Sequence, residues 1–191
     1  MMEKIANAIV REMEKEKLLD HEMNEYYVYA LVTLVERWLT IGTIICISFI
    51  YNNLLPTVLF LMFFLSLRKR TGGFHAKNFW QCYLGTVLTY VFIIVTSQQL
   101  VYYMEFIYVL LVCSIIMIFL IGTVNHPNMA MDCYELQESK KAARYTLGLE
   151  CIILFAAIAL NINKMCICYI SLAIILCATL LCIAKIIKQE V

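Results

Sequence analysis

Hydrophobic residues in this chain are gathered into six long runs that short polar stretches separate. The runs cover residues 27–51, 54–67, 79–96, 100–122, 145–160 and 165–184. A helix needs about 20 apolar residues to cross the ~30 Å hydrocarbon core of a bilayer. The fourth and sixth runs meet this length comfortably. The pattern therefore predicts an all-α, polytopic integral membrane protein with about six membrane segments.

The first two runs are less regular than the others. The charged pair Glu36-Arg37 interrupts the first run, and the second, Leu54 to Leu67, is short. We expect these two runs to form either two tilted spans or a re-entrant hairpin. Either geometry returns the chain to the side of the membrane that it left.

Residues 2–17 follow a different pattern, which predicts an amphipathic helix. Apolar residues recur there at helical spacing, at Met2, Ile5, Ala6, Ile9, Val10 and Met13. Charged residues mostly fill the remaining faces. Such a helix lies in the membrane interface or packs on the protein itself, and the sequence favours neither.

The distribution of Lys and Arg predicts the orientation of the segments. Fourteen of the fifteen fall on one side of the expected topology, and only Lys164 falls on the other. Cytoplasmic loops carry the excess of positive charge. Both termini, a loop over residues 68–78 and a basic loop over residues 123–144 should therefore be cytoplasmic. Residues 1–191 would form a single membrane domain whose N-terminus is too charged for a secretory signal peptide.

The composition is typical of a membrane protein and indicates which classes of partner are not expected. Hydrophobic residues make up 63% of the chain, against about 45–50% in soluble domains. A net charge of +1 indicates no nucleic-acid partner. Most of the nine cysteines lie in or beside apolar runs, where Cys packs as a small hydrophobe. Their spacing predicts neither a zinc site nor a disulfide framework, and we expect no metal and no cofactor.

One polar stretch, residues 68–82, breaks the apolar middle of the chain and holds the candidate chemistry. His75 is a base and Cys82 a thiol. Within one straight helix their Cα atoms would stand about 10.5 Å apart, whereas proton transfer needs about 3 Å. Gly72-Gly73 permits a turn with positive φ, so His75 can fold back over the start of the helix that carries Cys82. The helix dipole and the nearby cations would stabilise a thiolate there.

The same residues also have simpler interpretations. An interfacial His often contacts lipid headgroups, a Cys in an apolar helix usually packs, and basic residues at the end of a span commonly determine topology. On this view the chain is a small non-enzymatic membrane transporter or interaction protein. The scarcity of charged residues within the apolar runs argues against a transport pathway.

The pattern Arg68-x4-Gly73-x-His75-x6-Cys82, set between two apolar segments, resembles the signature of the accessory gene regulator B family. The resemblance implies a membrane cysteine endopeptidase of the bacterial cell membrane, with Cys82 as nucleophile and His75 as its partner. The family's conserved arginine and glycine would be Arg68 and Gly73. The implied substrate is a quorum-sensing pheromone precursor with an amphipathic N-terminal helix, a central Cys or Ser and an acidic C-terminal tail. Release of the tail through an acyl-enzyme at the cytoplasmic face would allow a thiolactone or lactone ring to close.

An acidic tail requires cationic contacts on the enzyme. The candidates on the predicted cytoplasmic side are Arg68, Lys69, Arg70, Lys140, Lys141 and Arg144. The forked guanidinium of Arg68 is suited to a substrate carboxylate or an oxyanion. The other expected partners are the lipid bilayer and, as one candidate assembly, a second copy of the chain.

The sequence leaves two further features of the site undecided, namely an aromatic wall and a third residue that orients His75. A wall of aromatic side chains could limit competing water at the thioester, and the candidates are Phe74, Phe79 and Trp80. A third residue could orient His75, and the candidates are Asn125, Asn128, Asp132 and Glu135. The sequence does not select among these four.

Overall fold

The computed structural model describes residues 2–15, 24–72, 79–125 and 132–187. Its seven α-helices are α1 (Met2–Lys15), α2 (Asn24–Ile50), α3 (Leu54–Thr71), α4 (Phe79–Leu100), α5 (Met104–Ile121), α6 (Cys133–Ala159) and α7 (Lys164–Ile186). A 3-10 turn, Val101–Tyr103, joins α4 directly to α5. Because these ranges contain no strand, the all-α prediction is confirmed.

Four stretches of the described chain are long and apolar enough to cross a membrane. They are Ala30–Ile50, Trp80–Ile121, Cys133–Ala159 and Lys164–Ile186. Helix α3 is outside this set, and its last turn carries the three basic residues Arg68, Lys69 and Arg70. The composition therefore fits a membrane protein. The count of six segments, the orientation of the termini and the re-entrant hairpin stay predictions.

The stretch from Trp80 to Ile121 is 42 residues long, and it must bend back on itself. A straight helix of that length would measure about 63 Å. However, the amide of Val124, just after α5, donates to the Thr71 carbonyl oxygen at the end of α3 (3.1 Å). The chain from Thr71 to the start of α4 can span at most about 28 Å. The start of α4 therefore lies much nearer to the end of α5 than 63 Å. The chain bends between the two helices, where the 3-10 turn lies.

Helix α2 continues through the charged pair Glu36-Arg37 and ends only at Ile50. A tight turn follows, in which Asn52 has φ 53, and α3 begins at Leu54 and packs back against α2. Thr57 supports this turn, since its hydroxyl donates to the Asn53 carbonyl oxygen (2.7 Å). The interruption seen in the hydrophobic run is thus not an interruption of the helix.

The basic loop predicted over residues 123–144 is helical from Cys133 onward, so α6 begins earlier than hydropathy indicates. The Asp132 side chain accepts from the Cys133 amide (2.7 Å). The Asp132 amide in turn donates to the Glu135 carboxylate (3.1 Å). Reciprocal contacts of this kind form a capping box, which starts a helix whatever the hydropathy of its first turns. Asp132 and Glu135, two of the residues considered for orienting His75, therefore have a structural role in starting α6.

Helix α7 lies at the centre of the bundle and packs mainly against α3 and α5. Cys166, Cys168 and Cys177 on this helix are buried, in agreement with their interpretation as small hydrophobes. All nine cysteines of the chain are free. Many large apolar side chains on α2, α4 and α5 are instead exposed, as expected for helices whose outer faces contact lipid.

Helix α1 packs on the protein, which is one of the two alternatives left open by its sequence. It contacts α2, and Ala6 and Val10 are buried in the structure. The Asn24 amide group donates to the Glu14 carboxylate (2.8 Å) and ties the start of α2 to α1. Ile9 stays 46% exposed, so part of the apolar face remains uncovered.

Candidate functional site

The Cys82 thiol lies in the first described turn of α4, whose described part begins at Phe79. The residue is exposed. Its helix is held to α2 nearby by the hydrogen bond between the hydroxyls of Tyr83 and Thr43 (3.0 Å). The Tyr83 ring also makes an edge contact with Trp80, at 6.1 Å between centroids. The thiol is therefore accessible from outside the protein while the helix that carries it is fixed.

Arg68 is half-buried near the end of α3. Its side chain extends towards the C-terminal end of the helix, where Nη1 donates to the Gly72 carbonyl oxygen (2.5 Å). Burial lowers the pKa of the Arg68 guanidinium, and the nearby thiols of Cys177 and Cys82 act in the opposite direction. A guanidinium keeps its charge in proteins. The structure thus brings a cation within electrostatic reach of the Cys82 thiol.

Two other segments of the chain hold the end of α3. The carbonyl oxygen of Arg70 accepts from the Thr123 hydroxyl (2.9 Å) and from the Ser139 hydroxyl (3.2 Å). The carbonyl oxygen of Thr71 accepts from the Val124 amide (3.1 Å). Because Ser139 lies in the first turns of α6, these contacts bring the basic residues of α3 and those of α6 to the same end of the molecule.

The basic residues of α6 have partners within the protein. Lys141 forms an exposed ion pair with Glu138 (3.2 Å). Arg144 donates from Nε to the Phe119 carbonyl oxygen (3.1 Å), and its guanidinium lies 5.1 Å from the centroid of the Phe119 ring. Lys140 packs against Gly122, where an added Cβ would come within 2.9 Å of its Cγ. By contrast, Lys69 and Arg70 are exposed at the end of α3.

Several predicted site residues lie outside the described residues. They are Gly73, Phe74, His75 and Asn128. The pairing of His75 with Cys82 therefore stays a prediction. Trp80, one of the three predicted wall residues, is 66% exposed.

Sequence reasoning missed a buried carboxylate, Glu150, which is only 4% exposed within α6. The Ser66 hydroxyl lies beside it, yet neither carboxylate oxygen has a hydrogen-bond partner within the described part of the chain. Cys177 lies within electrostatic reach of both Glu150 and Arg68. Glu150 is the one acidic residue in the apolar run 145–160, and a charge inside such a run is a signal of function.

The family model described as Accessory gene regulator B matches residues 2–184. The comparisons with curated proteins and with solved structures gave no match. The matched region begins with α1 and reaches Ala184 in α7. The similarity therefore extends far beyond the short stretch between Arg68 and Cys82.

Proposed function

Because the chain belongs to the accessory gene regulator B family, whose members take part in the maturation of peptide pheromones, we propose that it is a membrane cysteine endopeptidase. Its reaction is the removal of the C-terminal tail from a quorum-sensing pheromone precursor at the cytoplasmic face. The observation that carries this proposal is the exposed Cys82 thiol within electrostatic reach of Arg68. The thiolate is the nucleophilic form of a cysteine.

The first step is attack by the Cys82 thiolate on the carbonyl carbon at the end of the pheromone segment. A bond forms between sulfur and carbon, and the C–N bond to the tail breaks. The leaving amine takes a proton from His75, so the products are the free tail and a thioester acyl-enzyme. Arg68, a cation within electrostatic reach of Cys82, would stabilise the negative charge that develops on the carbonyl oxygen.

The second step closes the ring. The thiol of a cysteine in the pheromone segment loses its proton to His75 and attacks the thioester carbon, and Cys82 leaves as a thiolate. The product is a thiolactone, or a lactone where a serine hydroxyl attacks instead. Exchange between thioesters is nearly neutral in free energy, whereas hydrolysis is strongly favourable, so the site must limit the access of water.

The acidic tail of the precursor would bind at the end of α3. Lys69 and Arg70 are exposed there, whereas Lys141 and Arg144 already contact Glu138 and Phe119. We therefore assign the principal tail contacts to Lys69 and Arg70. Lys140, Lys141 and Arg144 add positive potential from the first turns of α6.

Substitution of the nucleophile tests the proposal most directly. Cys82→Ala should abolish cleavage of a co-expressed, tagged precursor, and His75→Ala should do the same, while both proteins insert and accumulate normally. Cys133→Ala is the matched control, because Cys133 is also exposed and is the first residue of a helix. Normal cleavage by Cys82→Ala would exclude the mechanism.

Thiol reactivity separates this function from a non-enzymatic transporter or interaction protein. An iodoacetamide probe should label Cys82 faster than Cys133, whose neighbours Asp132 and Glu135 are acidic. His75→Ala should slow the labelling of Cys82 alone. Equal rates at the two thiols would favour the non-enzymatic alternative.

A further inference from the structure

Two hydroxyl groups from distant parts of the chain meet at one carbonyl oxygen at the end of α3. Thr123, in the segment after α5, and Ser139, in α6, both donate to the Arg70 carbonyl oxygen, at 2.9 and 3.2 Å. Their own oxygens lie 3.4 Å apart. The Val124 amide donates to the next carbonyl oxygen, that of Thr71 (3.1 Å). We call Thr123, Val124 and Ser139 the α3 anchor.

The anchor differs from the usual use of hydroxyls in this protein. Elsewhere, as at Thr86 and Thr146, the hydroxyl donates to a carbonyl of its own helix four residues earlier. Those bonds are local and would form in any packing arrangement. The last carbonyls of a helix have no partner within it, so the donors from Thr123 and Ser139 fix the end of α3 relative to α5 and α6.

The position of Arg68 depends on this end of α3. Nη1 of Arg68 donates to the carbonyl oxygen of Gly72, the residue that follows Thr71. Gly72 itself is closely packed, since an added Cβ would come within 3.1 Å of the Val124 carbonyl oxygen. A displacement of Gly72 would therefore carry the Arg68 guanidinium away from the Cys82 thiol.

We propose that Thr123 and Ser139 are positioning residues that hold Arg68 in its working place beside Cys82. This inference rests on the proposed endopeptidase function. Neither Thr123 nor Ser139 is among the proposed substrate contacts, and we expect their effect on the chemical step to come through Arg68. A reacting group misplaced by 1 Å can cost on the order of 10²-fold in rate.

The anchor should affect turnover more than binding. In Thr123→Val with Ser139→Ala, kcat for a tagged precursor with a central Cys and an acidic tail should fall at least about 10-fold. KM should change less than kcat, because the charges of Lys69 and Arg70 remain and their attraction to an acidic tail varies only slowly with distance. Thr123→Ser and Ser139→Thr keep the hydroxyls and should keep activity. Thr146→Val removes a locally bonded hydroxyl and serves as the matched control.

A double-mutant cycle distinguishes positioning from general destabilisation. The single variant Thr123→Val is combined with Arg68→Lys, which retains the positive charge and loses the forked guanidinium group. If the anchor acts through Arg68, Thr123→Val should slow turnover in the wild type and change it less than about twofold in Arg68→Lys. The rate of Cys82 alkylation by iodoacetamide is measured in the wild type, in both single variants and in their combination. This rate completes the cycle even where turnover is abolished. The cycle also does not depend on insertion of the variant that lacks both anchor hydroxyls.

The outcomes separate the two proposals. Independent, multiplying effects of Thr123→Val and Arg68→Lys would overturn the positioning role. Unchanged kcat in the anchor variants would also overturn the positioning role. If cleavage still required Cys82, the proposed endopeptidase function would stand. Cleavage by Cys82→Ala would instead overturn the proposed function and, with it, the inference.

Discussion

Gly72 provides a sharp test of the packing at the end of α3, because its backbone has φ 65 and ψ −132. Side chains other than glycine are strained in this region. The cost for such a residue is about 1–3 kcal/mol. An alanine Cβ would also meet the Val124 carbonyl oxygen at 3.1 Å, which forces a shift of a few tenths of an ångström in a hydrogen-bonded segment. We therefore expect Gly72→Ala to lower the free energy of unfolding by at least the cost of the backbone strain.

The size of the expected effect on thermal stability follows from the chain length. For a protein of 150–250 residues, 1 kcal/mol corresponds to about 2–4 °C in Tm. Gly72→Ala should therefore lower the unfolding midpoint by roughly 2–12 °C. The assay is loss of helical circular dichroism at 222 nm in detergent, at one fixed scan rate. A fixed rate is needed because the unfolding of such proteins is often irreversible.

Gly85→Ala is the matched control for Gly72→Ala. Gly85 lies within α4, one turn from Cys82, and an added Cβ there meets nothing within 4 Å. Replacing a helical glycine by alanine stabilises a helix by up to about 1 kcal/mol, so the two substitutions should shift the midpoint in opposite directions. Equal midpoints for the two variants would refute the reasoning about Gly72.

Four further changes test other parts of the structure. Charge reversal at Lys69 and Arg70 should weaken cleavage, and reversal of the acidic tail of the precursor should partly restore it; indifference to both changes would remove the proposed tail contact. Asp132→Ala removes the cap of α6 and should cost about 0.5–2 kcal/mol by thermal unfolding, whereas loss of the exposed ion pair in Glu138→Ala should cost at most about 1 kcal/mol. Glu150→Met replaces a buried carboxylate that has no hydrogen-bond partner among the described residues, so it should leave the midpoint unchanged or raise it; a large fall would reveal a partner of Glu150 in the native protein.

Hydropathy alone was sufficient to predict the helical class and the location of α5 and α7. These helices contain few polar residues, so the pattern of apolar positions coincides with the helix. The start of α6 was not predictable in this way, because the Asp132 and Glu135 capping box begins the helix before the apolar residues do. The helical course of α2 through Glu36-Arg37 was not predictable from hydropathy either, because a helix tolerates charged residues at its surface.

The site was predictable only where it depends on neighbours in sequence. The glycine turn after α3 is one such feature, and Gly72 has the positive φ that the pair of glycines indicated. The α3 anchor joins Arg70 to residues 53 and 69 positions later, and no local pattern reveals such a contact. The Glu150 environment likewise depends on how α3, α6 and α7 meet.

The three connections far from Gly72 are unusually tight. Residues 51–53 join α2 to α3, Val101–Tyr103 join α4 to α5, and residues 160–163 join α6 to α7. A protease needs an extended segment of several residues to cut a chain, and such sites concentrate in exposed loops. Proteolysis at these three connections should therefore be slow. Epitope tags and reporter domains inserted there should disturb the packing of the helices that they join.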